Sequence, residues 1–188
     1  MELVDRCINK LKRGKAAGLD RLTSEHLLYA HPVVVTLITH LFKLIFQCGI
    51  VPTDFGCSVI IPLMKNSDGD MTSSENYRGI TLSPVISKLF ELVLMEMVGE
   101  KLTSSPLQFG FKAYSSHFYT SDVSKAFLQF RQHTHPMCTR FSKAFDRVDV
   151  YGLLNALITR RFPKTFVCIM FNWLQKYVGA VRWGTVFP

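Results

Sequence analysis

Acid is the scarce commodity in this chain. Its 188 residues hold 14 Asp and Glu against 22 Lys and Arg, a net charge of +8. A balance of this sign suits a polyanion partner, nucleic acid first, although a basic and inert surface would look the same in composition. Long polar tracts are also missing. Apolar residues make up 48% of the chain and 15 are Phe, which excludes global disorder and is enough to fill a sizeable core. Paired cysteines are absent too. The five cysteines are scattered, odd in number and without a CxxC, which excludes a disulfide framework and fits reduced, intracellular thiols. His133, His135 and Cys138 lie close together but lack a fourth ligand, so no zinc site is expected.

Three further absences narrow the class. The opening MELVDRCINKLKRGK has no apolar core of the signal-peptide kind. The longest apolar run, VVVTLITHLFKLIFQCGIV at 33–51, carries His40 and Lys43 in its middle. A central Lys costs about 2.5–3.5 kcal/mol in a bilayer. Val34, Leu37, Ile38, Leu41, Phe42 and Ile45 instead form one helical face, so a buried helix is expected there and no membrane partner. Gly14, Lys15 and Gly18 do not make a P-loop, because Lys15 follows the wrong glycine.

What is present reads as α+β. Residues 2–12 have Leu3, Cys7, Ile8 and Leu11 on one helical face. A Gly-containing loop follows, and Thr23 or Ser24 can cap the next helix. The long apolar helix should stop at Gly49, before Pro52. CSVIIPL (57–63) and YRGITL (77–82) read as two strands of a hairpin around a polar turn. SPVISKLFELVLMEMVGEKL (83–102) reads as a helix with Ser83 as its cap and Pro84 in its first turn. Helices are also expected over 121–132, 149–161 and 163–177, and a strand closes the sequence. No repeat is present. A domain closing on a lone strand looks unfinished, so the chain is expected to be a piece of something longer.

Several segments, in order, carry a resemblance. GKAAGLDRLTSEHL, NYRGITLSPVISKLFE, LQFGFK, SKAFDRVD and VRWG together resemble the reverse transcriptase domain of non-LTR (LINE-type) retrotransposons, over about residues 8–188. The resemblance implies a right-hand polymerase fold. Fingers would span about residues 1–120 with the 57–82 hairpin, and a partial palm would start at about 121–188. It also implies RNA-templated DNA synthesis with two Mg²⁺ ions held by palm carboxylates, and RNA or DNA as partner.

The resemblance assigns roles to particular residues. Lys65 and Arg78 flank the turn of the hairpin and, as in polymerase fingers, would face the incoming triphosphate. Two cations on a hairpin can clamp a polyanion, and Arg does so bidentately. Two solvated cations beside a turn are the alternative. Gln108, Gly110 and Lys112, in QFGFK, would lie near template and nucleotide; a buried Phe pair with an exposed Lys reads equally well. Phe145 would screen the sugar 2′ position.

The palm motif of this family begins with a metal-binding Asp and has an aromatic residue five positions later. Two stretches compete for it. DVSKAF (122–127) has the acid; RFSKAFDRVD (140–149) has the downstream continuation and the expected distance from LQFGF. An acid at position 122 is favoured at a helix start in any case. The motif is therefore assigned to 140–146, with Arg140 where the metal Asp belongs. No acid lies between Asp122 and Asp146, and no aromatic-x-Asp-Asp turn occurs in these 188 residues. The expectation is a degenerate domain fragment that holds no metal and does not polymerise. A binding module without chemistry, or a translated relic that does not fold, are the alternatives.

Overall fold

The computed structural model describes residues 1–65, 69–102 and 148–183. The chain divides into two compact units, residues 1–99 with 150–188, and residues 100–149. The account below concerns the first. The expected helix over 121–132 and the motif at 140–146 lie outside the described residues.

Among the described residues the fold is mixed: helices pack beside one small sheet. The helices are α1 (Glu2–Asn9), α2 (Ser24–Leu28), α3 (Pro32–Cys48), α4 (Val85–Val98), α5 (Val150–Thr159) and α6 (Lys164–Gln175). The strands are β1 (Cys57–Met64), β2 (Tyr77–Leu82) and β3 (Val178–Val181). No helix among the described residues is long and apolar enough to cross a membrane.

Local chemistry sets the helix ends. Pro32 occupies the first position of α3, where its missing N–H is not needed, and the His31 imidazole accepts from the Val33 N–H at 3.3 Å. Gly49 closes α3 at φ 71°, a left-handed geometry that glycine adopts without strain, and its N–H bonds Ile45 O at 2.8 Å. The start of α4 falls one step later than expected. Pro84, not Ser83, is the cap, and Ser87 Oγ donates to Pro84 O at 2.8 Å. A prolyl φ near −54° with extended ψ makes Pro84 a flanking residue rather than a helical one.

The apolar face of α3 is narrower than its sequence spacing implies. Ile38, Phe42 and Ile45 are buried, one turn apart, while Leu37 is 62% exposed. Leu37 lies about 100° round the helix from Ile38, beyond the arc that the neighbouring helices cover. The core centres on Phe90 of α4, fully buried. Its ring centroid lies 4.9 Å from Phe42, 5.6 Å from Phe46, 5.9 Å from Phe55 and 5.6 Å from Trp173. Those partners come from α3, from the turn before β1 and from α6, so one side chain joins three parts of the chain.

The sheet order is β2-β1-β3, with β2 antiparallel and β3 parallel to β1. β3 pairs only Cys57–Ile60, and the last bond runs from Arg182 N–H to Ile60 O at 3.0 Å. Pro62 sits just past it, where the N–H it lacks has no strand to reach. Register and the two-residue period sort the side chains. Val59, Ile61 and Leu63 share one face with Arg78, Ile80, Leu82 and Arg182. Ile60, Pro62 and Met64 share the other with Tyr77, Gly79, Gly179 and Trp183.

Loop 51–56 is tied to α6. Val51 N–H donates to Asn172 Oδ1 at 2.9 Å, Trp173 Nε1 donates to Phe55 O at 3.2 Å, and Lys176 Nζ donates to Val51 O. Gly56 runs so close that a Cβ there would meet Lys176 O at 2.1 Å. Two outcomes are expected in urea denaturation followed by circular dichroism. Phe90→Ala should lower stability by about 3–5 kcal/mol, the usual range for emptying an aromatic core site. Gly56→Ala should destabilise although it only adds a methyl group, because the group it strikes is backbone and cannot swing away.

Candidate nucleic-acid interface

The β1–β2 hairpin places Lys65 and Arg78 as neighbours. Leu63 pairs with Arg78, and Lys65, two residues on, lies on the same face; its N–H bonds Asn76 O at 2.7 Å. The two side chains are not equivalent. Lys65 Nζ donates to Glu75 O at 2.5 Å, so its ammonium is engaged in holding the turn. The turn is tied further by Asp70, whose Oδ1 accepts from Thr72 N–H at 2.8 Å and Thr72 Oγ1 at 2.6 Å. These bonds hold the Asp70 carboxyl below its ordinary pKa. Arg78 is exposed, and its guanidinium makes no hydrogen bond or ion pair among the described residues. Of the two cations expected from the sequence to face the triphosphate, Arg78 is the one without a partner among the described residues.

Two further arginines join this face. A cavity of about 320 Å³ is lined by Arg21 and Arg182 with Gly18, Val59 and Leu82 among its walls. Arg21 has φ 57°, a left-handed backbone that an L-residue with a side chain adopts at roughly 1–2 kcal/mol. A bend at Gly18 supports it: Arg21 N–H bonds Gly18 O at 3.2 Å. Gly18 itself is hemmed in, with its Cβ position 3.0 Å from the Ser83–Pro84 backbone. Sequence reasoning quoted both arginines inside motifs but gave neither a role. The signal that could have found Arg182 is period-two alternation in VGAVRW, which sets Arg182 on the same face as Ala180.

A second concavity, about 390 Å³, has an apolar floor that includes Leu11, Leu22, Val85 and Leu92 and carries Lys10, Lys12, Lys15 and Lys88 round it. Lys10 is paired with Glu96, which holds that carboxyl below its ordinary pKa. The loop that bears Lys12 and Lys15 is pinned where Gly14 N–H donates to Glu25 Oε1 at 2.6 Å; this bond is the main reason the Glu25 carboxyl sits below its ordinary value. Lysines and arginines thus line the concavities on both sides of the α4 start, near Leu82.

Gln108, Gly110, Lys112, Arg140 and Phe145 lie outside the described residues. Among the described residues no three His, Cys, Asp or Glu side chains gather as a metal site.

No protein-family model matches the chain. Over 110 residues, 58% of the chain, it is 30% identical to a 115 kDa protein of the type-1 retrotransposable element R1DM of Drosophila melanogaster. Over 191 aligned residues, 97% of the chain, it is 22% identical to a protein of the same organism named as an RNA-directed DNA polymerase from transposon BS. The aligned parts amount to 11% and 21% of those two proteins, so the chain spans about a fifth or less of either. The chain is therefore similar to retrotransposon proteins over a short part of their length.

Free and engaged cations should separate on mutation. Arg78→Ala should leave thermal stability within about 0.5 kcal/mol of the parent, as for an unpartnered surface residue. Lys65→Ala should cost about 1 kcal/mol through the lost bond to Glu75 O. Differential scanning calorimetry of the two variants reads both.

Proposed function

We propose that the chain is part of a reverse transcriptase-like domain of the non-LTR retrotransposon type, that it binds nucleic acid through its hairpin face, and that it does not polymerise. The right-hand polymerase fold, with the β1–β2 hairpin as a fingers element, belongs to this reading. The observation that carries the binding half is Arg78, an exposed guanidinium without a partner among the described residues, on the same sheet face as Arg182. A guanidinium presents a planar fork of donors that matches phosphate oxygens. Similarity to a protein named as an RNA-directed DNA polymerase supports the class of ligand.

The chemical half rests on Arg140. Where the resembled palm motif has an Asp that binds Mg²⁺, this chain has a guanidinium. Mg²⁺ takes oxygen ligands, and a permanently charged cation with no acceptor cannot supply one. The donor set at this position does not fit the ion. Metal-ion charge stabilisation contributes several kcal/mol to phosphoryl-type transfer, and each 1.36 kcal/mol is tenfold in rate. A chain that has lost it retains affinity for its polyanion while turnover falls by powers of ten.

Binding and chemistry are tested separately on the 188-residue chain. In a filter-binding titration with RNA, affinity should fall linearly on a log–log plot against salt, and Arg78→Ala should reduce the slope by about one. A flat salt response would remove the phosphate contacts. Primer extension on an RNA template with Mg²⁺ should yield no product above background. Robust extension would overturn the reading of Arg140.

A further inference from the structure

The sheet has a second exposed face, opposite Arg78, that the reading above leaves unused. Tyr77 at the start of β2 and Trp183 just after β3 meet on it, their ring centroids 4.8 Å apart and tilted by 56°. On β1, Met64 stands opposite Tyr77, with Pro62 two residues before it on the same face. A Cβ at Gly79 would stand 3.0 Å from Ile60 Cγ2, and one at Gly179 would stand 2.7 Å from Ile60 Cδ1. The Ile60 side chain extends toward both glycines, on the same face as the ring pair. Tyr77 is fixed by its hydroxyl, which donates to Met71 O at 3.0 Å. Trp183 is 54% exposed, and its indole N–H has no partner among the described residues.

We propose that Tyr77 and Trp183 form a stacking platform for an unpaired base of single-stranded nucleic acid. The proposal rests on the nucleic-acid reading above and adds to it a preference for unpaired strands. An aromatic pair on a flat sheet face offers a π-surface that any base can cover, and a duplex keeps its base faces hidden. The chain has a net charge of +8, and each ring is adjacent in sequence to an arginine, Arg78 beside Tyr77 and Arg182 beside Trp183. A purely structural aromatic pair, clamping β2 to β3 across β1, would need none of this.

The chain has two tryptophans, and Trp173 packs against Phe55 and Phe90 in the core, so a change in fluorescence on titration reports Trp183. The chain is titrated with oligo(U), with oligo(dT) and with a duplex of equal length. Both single strands should quench the fluorescence, and the duplex should not. Trp183→Ala should weaken single-strand binding about tenfold with the salt slope unchanged, while Trp183→Phe, which keeps a ring, should stay within about twofold. Three results would overturn the proposal. If Trp183→Ala binds like the parent while Arg78→Ala weakens binding, the platform is wrong and the phosphate reading stands. If neither strand form binds, both fall. If acrylamide does not quench Trp183 in the free chain and sedimentation shows a dimer, the face is covered by a second copy.

Discussion

Most of this structure depends on how α6 holds the loop that leads into the sheet. Residues 51–56 arrive from a helix that ends at Gly49 and must turn into β1 with buried backbone groups to satisfy. Asn172, Trp173 and Lys176 supply them from the far end of the sequence. Gly56 lets the two backbones touch. With α6 fixed there, the chain leaving it can only run beside β1, which is why Cys57 pairs with Val178 across about 120 residues. Phe55, carried on the same loop, then completes the ring cluster around Phe90. Three polar side chains and one glycine thus connect the core to the sheet, and the hairpin face with its arginines inherits its position from them.

Much of the local structure was legible in the sequence because it is set by local rules. Gly49 marks the end of α3, the strand-turn-strand pattern marks β1 and β2, and both α5 and α6 fall where apolar spacing puts them, one or two residues shorter at their ends. What could not be read is what depends on a distant partner. Leu37 belongs to an apolar face by spacing, but only the neighbouring helices decide how wide an arc is covered. Asn172 and Trp173 look like ordinary members of an amphipathic helix until the loop they serve is known. The parallel pairing of β3 has no sequence signal at all, since four residues of VGAV fit an edge strand in either direction.

The candidate site divides in the same way. That Lys65 and Arg78 flank the turn of one hairpin was legible in the sequence; that they share a face depends on the register, which pairs Leu63 with Arg78. That Lys65 is engaged and Arg78 is free depends on the fold as well, because the difference lies in where the Glu75 carbonyl points. Both residues are exposed cations two positions from pairing directly, and composition treats them alike. The structure separates them by one hydrogen bond among the described residues. A cation already satisfied by the backbone loses that bond on engaging a phosphate; a free guanidinium exchanges only water.

Alternation is also what lets so small a sheet present rings on one face and guanidinium groups on the other. Tyr77 and Arg78 are consecutive, as are Trp183 and Arg182, so each pair sends a ring to one face and a guanidinium to the other. A slip of one residue in either pairing would exchange the two faces completely. The register must therefore be held firmly, and among the described residues three strands hold it. Ile60 adds a side-chain contact to the pairing: a Cβ at Gly79 would stand 3.0 Å from its Cγ2, and one at Gly179 would stand 2.7 Å from its Cδ1. The two glycines leave the room on this face that the Ile60 side chain takes up.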